Sequence, residues 1–342
     1  MLKSRLCIAF FAFAVGCAPA QKPLTDYVNP MLGTATLWDS VDLGFKPTKR
    51  TWGAEVFPGS SLPNAMVQVS PVTKFHSGAG YQYEDSVIYG FTHTNKGHWN
   101  LCHIPLLPVT GTPTPGDYCS PFSHERESAA PGYYQVFLDR YGVDAQLSST
   151  LRCAFHKYTY PAGAAASLLA DLQRSNEHVR AWDIRKEGDN VFAGWQQTGE
   201  KMYFYAVANR PVTGIEPVVE GDREVRIVRF GEGDGALELR IGFSFVSEKN
   251  ARENLEAEML GKSFAEVRSE ATATWNDLLG RIRVEGGTER EKGLFYSSLY
   301  RSFLWPALRS DVNGEFTDVD GKVINPGFRY YTCLLYTSDA AD

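Results

Sequence analysis

The segment from Gly90 to Gly111, GFTHTNKGHWNLCHIPLLPVTG, places three histidines, a lysine and a tryptophan ahead of an apolar run. Such a set has the donors for a metal site, a general acid or base, or a rim that holds sugar hydroxyls; it also reads as a polar loop entering a buried strand. His93, His98 and His103 recur every five residues, which turns neighbours onto different faces of a strand or a helix. Three ligands on one metal would therefore need a sharply bent loop. The run CHIPLLPV instead assigns His103 to a strand, at its core or edge.

Carboxylates offer no better catalytic pair. Glu84 and Asp85 are adjacent in YEDS, so on a strand their side chains face opposite ways and cannot flank one bond. Asp311, Glu315, Asp318 and Asp320 lie in SDVNGEFTDVDGK, where NG and DG are turn dipeptides. The run lacks the terminal glutamate of an EF-hand calcium loop, and reads as a solvated hairpin. Beyond the leader, Cys102, Cys119, Cys153 and Cys333 form no CxxC pair, which argues against zinc. A disulfide among Cys102, Cys119 and Cys153 and a set of buried free thiols are both open.

The elements that must position these residues fall into two regimes. From about Asp26 to Val246, short runs such as AMVQVSP, GYYQVFLD, MYFYAVANRPV and LELRIGFSFV are broken by Gly, Pro, Asn and Asp, the pattern of an antiparallel sandwich. After Ser247 the period changes, and NARENLEAEML, SFAEVRSEATATWNDLLGRI and TEREKGLFYSSLYRSFLWPALRS read as three helices. Ser263 with Glu266, and Thr288 with Glu291, have capping-box spacing. Val267, Ala271, Trp275 and Leu278 form one stripe, and Leu294, Phe295, Leu299 and Phe303 another that needs partners to cover it.

The chain has 342 residues, 43% hydrophobic and 22% charged, with a net charge of −6 and no basic cluster, which excludes nucleic acid as an expected partner. Residues 1–20 read as a leader: Lys3 and Arg5 precede a short apolar core from Leu6 to Val15. Cleavage after Ala20 gives soluble export; cleavage before Cys17 resembles a lipobox and gives a membrane anchor through lipidated Cys17.

Several stretches in family order carry a resemblance: DYVNPMLGT, FPGSSLPNAMVQVSP, GYQYEDSVIYGFTHT, LLPVTG, ARENLEAEM followed by TWNDLLGRI, and EKGLFYSSLYRSFLWPALRSDVNGEFTDVDGKV. They span nearly all of Asp26 to Thr332, and the chain resembles the glycoside hydrolase family 92 α-mannosidases, exported bacterial enzymes. The resemblance implies a mainly β fold: a large antiparallel β-sandwich over 21–247, a helical linker over 248–283, and the first helix of an incomplete (α/α)6 barrel over 284–332. It implies release of mannose from α-mannosides of glycans by inversion, with calcium as cofactor and export to the periplasm or outer membrane of a Gram-negative bacterium. In the family, the general acid, the general base and the calcium belong to the barrel, downstream of Thr332, so no catalytic residue or metal ligand is assigned here and this chain is expected to be inactive. Residues 333–342, CLLYTSDAAD, read as the translation of a sequencing adaptor, an expected non-native tail.

In relatives the loop after GFTHT helps shape the substrate pocket, so His93, Lys96, His98, Trp99 and Asn100 are the expected sugar-binding rim. Many relatives have SHTHLSGTG where this chain has THTNKGHWN, and a tryptophan-bearing insertion where this chain has KFHSGAG. Trp99 or His76 is the expected replacement for that tryptophan, which leaves the linkage open. The alternative function is a non-catalytic carbohydrate-binding or structural sandwich.

Overall fold

The computed structural model describes residues 22–36, 44–46, 55–95 and 101–332. Seven strands form one sheet, in the spatial order β1 (Ser60–Ser61), β2 (Gln68–Val72), β4 (Gly90–Thr92), β5 (Leu106–Val109), β11 (Ser167–Ala170), β16 (Arg223–Phe230) and β15 (Val212–Glu220). Eight form the other: β12 (Ala181–Gly188), β13 (Val191–Gln197), β14 (Lys201–Ala208), β17 (Leu237–Ser244), β10 (Cys153–Thr159), β9 (Val143–Ser149), β8 (Tyr133–Leu138) and β7 (Glu127–Ala130). A small ribbon pairs β3 (Val87–Ile88) with β6 (Ser120–Pro121). The ladders are antiparallel, as period-2 patterning implies.

The core follows from that alternation. In β17, Leu237, Leu239, Ile241 and Phe243 point between the sheets, where they meet Phe91, Leu106, Leu168 and Ile227 from the opposite sheet. β10 is buried on both sides: Ala154 and Tyr158 face the sandwich, while Cys153 and Phe155 face helices laid on the outer surface.

Those helices are α1 (Glu248–Glu258), α2 (Phe264–Leu279) and α3 (Glu289–Ser302). Both expected capping boxes form, Ser263 with Glu266 and Thr288 with Glu291. α1 packs close to the sheet because Gly242 has no side chain: a Cβ there would lie 2.1 Å from the Ala251 carbonyl oxygen. α2 buries Phe264, Val267, Ala271, Trp275 and Leu279, with Leu278 at the stripe's half-buried margin. The Trp275 indole Nε1 donates to the Ser61 carbonyl at 2.8 Å.

The third helix differs from the expected stripe. It buries Tyr296, Ser297 and Tyr300, while Leu294 and Phe295 are exposed. The covering partners are Leu24 of an N-terminal 3-10 turn and Val28 just after it, which fix the inward face through Tyr296 and Tyr300. α3 also ends at Ser302, short of the expected Ser310; beyond it, β18 (Ala307–Leu308) pairs with β21 (Tyr331–Thr332), and β19 (Phe316–Thr317) with β20 (Val323–Ile324).

The hairpin expected around Asp318 is present as β19 and β20, but Asp311 is not a solvated residue. Its carboxylate accepts from Ser244 Oγ at 2.6 Å, Asn250 Nδ2 at 2.9 Å and Asn254 Nδ2 at 2.7 Å. Asp311 thus ties the segment after α3 to β17 and α1. Beside it, Arg152 pairs with Glu258 at 2.5 Å and donates from Nε to the Ser310 carbonyl at 2.8 Å.

Candidate functional site

One end of the sandwich gathers the loops after β2, β4, β11 and β13. The loop after β4 closes at its base: His93 N–H donates to the His103 carbonyl at 3.1 Å and Cys102 N–H to the Thr94 carbonyl at 2.7 Å. Asn95 Nδ2 fastens the base by donating to the Gln68 carbonyl at 2.8 Å. Cys102 and Ile104 have φ of 69° and 55°, and His76 has φ of 60°. A β-branched residue is seldom found there, and such strain gathers at functional sites that the surroundings over-determine. Gln196 supplies part of that restraint, its Oε1 accepting from Ile104 N–H at 2.7 Å.

Between these loops and the segment after α3 lies a pocket of about 280 Å³. Thr94, His103 and Thr198 line it from the sandwich, Trp305 and Arg309 from the later segment. The His103 ring is fixed at both nitrogens, Nδ1 to Thr94 Oγ1 at 2.7 Å and Nε2 to Thr198 Oγ1 at 3.0 Å. Burial pushes its pKa down to about 3, with Arg309 adding to the effect, so the ring is neutral at physiological pH. Glu200 pairs with Arg309, and Glu177 Oε2 accepts from Gly199 N–H at 2.9 Å. A neutral polar ring beside apolar Met66, Phe245 and Trp305, with one ion pair, suits a hydroxylated ligand.

Of the expected rim residues, Lys96, His98, Trp99 and Asn100 lie outside the described residues. His76 is exposed and lines a larger cleft next to the pocket; its N–H donates to Asn176 Oδ1 at 2.8 Å. His93 is a correction: its ring is fully buried between the sheets, not at a rim. Its Nε2 meets His156 Nε2 at 3.0 Å, and His156 Nδ1 meets the Tyr158 hydroxyl at 2.6 Å. Phe243 covers the ring at 4.4 Å between centroids. Burial pushes the His93 pKa down to about 3 and that of His156 well below its usual value. Alternation in CAFHKYT already turns His156 inward with Ala154 and Tyr158, a signal that a polar residue in the core needed a partner.

Glu84 and Asp85 sit in a turn rather than on a strand. Glu84 accepts from Thr36 Oγ1 at 2.8 Å and Asp85 from Thr73 Oγ1 at 2.8 Å. Cys102, Cys119 and Cys153 are free thiols, and burial raises the pKa of Cys102 to about 12. Calcium does not fit the residues described here: no group of three or more His, Cys, Asp or Glu among them could hold a metal ion, and the Asp311 oxygens are taken by side-chain donors. Cys17 lies outside the described residues, among which no helix is long and apolar enough to cross a membrane.

Comparison with known proteins gives matches along most of the chain. The sequence model of the glycosyl hydrolase family 92 N-terminal domain matches residues 27–254, and that of the family's catalytic domain matches residues 250–336. A protein of Arthroderma benhamiae described as an uncharacterized secreted glycosidase is 25% identical over 91% of this chain and 44% of its own length. A family GH92 α-mannosidase from Bacteroides thetaiotaomicron, solved also in complex with mannoimidazole, is 26% identical with a TM-score of 0.81, over 91% of this chain. An inverting mannosidase from the same organism is 25% identical with a TM-score of 0.77. The chain spans 45% and 44% of those two structures, less than half the length of each.

Proposed function

The chain belongs to glycosyl hydrolase family 92, and from that premise we propose that it forms the sandwich side of the mannose site in an exported, inverting α-mannosidase. The observation that carries this reading is the parentage of the pocket. Thr94, His103 and Thr198 come from the span matched as the N-terminal domain, Trp305 and Arg309 from the span matched as the catalytic domain. A cavity between two such units is where small-molecule sites concentrate.

Inversion needs an acid that protonates the leaving oxygen and a base that activates water across the ring, with carboxyl groups about 6.5–9.5 Å apart. Glu177 and Glu200 do not meet that demand. Glu177 is bonded to the backbone of Gly199, the chain neighbour of Glu200, so both belong to one wall. Their role is to orient hydroxyls, together with Arg309 and the fixed His103. The acid and base are assigned to residues outside this pocket wall, and calcium to ligands other than those described. Export is supported by the basic and apolar leader and by the secreted relative.

Calorimetric titration of the purified chain with mannoimidazole tests the reading. Binding that Arg309→Ala weakens at least fivefold is expected, with no release of mannose from an aryl α-mannoside. Absence of binding overturns the pocket, and mannose release that Glu177→Gln abolishes overturns the positioning role.

A further inference from the structure

Beside the pocket runs a cleft of about 1270 Å³, larger than the roughly 300–1,000 Å³ typical of small-ligand sites. It lies between the loop after β2, the loop leading into β12 and the turn between β15 and β16. Its floor is organised by a carboxylate that does not itself line it. Asp171 is fully buried and holds two cleft-lining guanidinium groups, Arg223 at 2.7 Å and Arg174 at 3.5 Å. Tyr118 donates to the same oxygen at 2.6 Å, while Asp171 Oδ1 has no hydrogen-bond partner among the described residues. Arg174 is further set among the rings of Phe75, Tyr89 and Tyr118, at 5.7, 5.4 and 5.6 Å from their centroids.

The charge of the lining identifies the ligand class. Four basic side chains are matched by four carboxylates, so an anion gains nothing overall, while hydroxyls that both donate and accept find partners of each kind. Phe75, Tyr89 and Trp182 add apolar ring surface, the complement of sugar C–H faces. Glu177 lines both the cleft and the smaller pocket, so the two cavities meet at one side chain.

We propose that this cleft is an extended saccharide-binding site that holds the part of a branched or linear mannose-containing glycan remaining outside the pocket. This rests on the pocket taking the terminal mannose. The pocket then selects the end of the glycan, and the cleft selects for its length. Arg174 and His76 contact sugar hydroxyls, with Phe75 beneath a ring face.

The test compares methyl α-mannoside with a linear α-linked mannotetraose on the purified chain. The tetrasaccharide is expected to bind at least tenfold tighter than the monosaccharide. Phe75→Ala, or Phe75→Leu if the first variant does not fold, should lower tetrasaccharide affinity at least fivefold and leave methyl α-mannoside unchanged. Equal affinity for the two sugars, or tetrasaccharide binding indifferent to Phe75→Leu, overturns the cleft and leaves the pocket standing. Tetrasaccharide binding that survives Arg309→Ala but not Phe75→Leu supports the cleft and sinks the pocket. Binding of neither sugar overturns both.

Discussion

Replacing Asp311 by alanine should detach the segment that forms the outer pocket wall. The carboxylate is 2% exposed and accepts three side-chain hydrogen bonds, of 2.6, 2.9 and 2.7 Å. Bonds to a charged acceptor contribute about 1.5–3 kcal/mol each, so the gross loss is about 4.5–9 kcal/mol. Against this, burial raises the Asp311 pKa, which means that removing the ionised group also removes a desolvation cost. The remaining hydrogen on each asparagine amide keeps a partner, Glu315 at 2.9 Å for Asn250 and the Phe243 carbonyl at 2.7 Å for Asn254. The net expectation is about 3–5 kcal/mol, the scale for breaking a buried charged contact from one side. Asp311→Asn keeps the shape but turns one amide N–H towards a donor, so it should cost about 1–3 kcal/mol. Urea unfolding followed by circular dichroism on the chain and both variants measures this. A loss under about 1 kcal/mol for Asp311→Ala, well below the range for a buried group left unpaired, would refute the claim that this residue joins the two parts.

Acid should unfold the protein through its core histidines. The unfolded chain takes up protons below about pH 6.5, while His93 resists until about 3, so stability falls as pH drops through that window by about 1.4 kcal/mol per unit for each such ring. Asp171 and Asp311, whose pKa values burial raises, act in the opposite sense because the folded form takes up their protons first. His93→Phe should reduce the slope between pH 4 and 6 by about one proton; an unchanged slope contradicts the burial. Gly242→Ala should cost about 1–3 kcal/mol by forcing α1 off the sheet, and a neutral result in thermal unfolding would show that the helix yields. Trp99→Ala should weaken oligosaccharide binding without lowering the melting temperature; a structural tryptophan would instead cost about 3–5 kcal/mol of stability.

Much of the fold was legible because its signals are local. Capping boxes need only a residue and its neighbour three positions on, and period-2 runs such as KMYFYAVA state which side chains turn inward. The faces of α3 were not legible, since aromatics surround it and the choice of Tyr296 and Tyr300 depends on Leu24 and Val28 at the other end of the chain. Asp311 hid for the same reason: turn dipeptides beside it suggested a solvated hairpin, whereas its partners lie 57 to 67 positions away. In the site, His93 shared a polar run with Lys96 and His98, and only His156 on the opposite sheet, 63 positions away, reveals a buried pair. The pocket's Thr198, Trp305 and Arg309 carried no motif that joined them to His103; tertiary structure alone does so.

The central claim is that mannose is held at the meeting of the sandwich with the segment after α3. Among the described histidines, His103 lies in the pocket, His76 and His178 line the cleft, and His93 and His156 sit in the core, so histidine-selective NMR reads all three places at once. Titration with methyl α-mannoside should shift the His103 ring resonances saturably and leave those of His93 and His156 in place. No shift at His103 when the sugar is saturating, or shifts confined to histidines away from the pocket, would contradict the account.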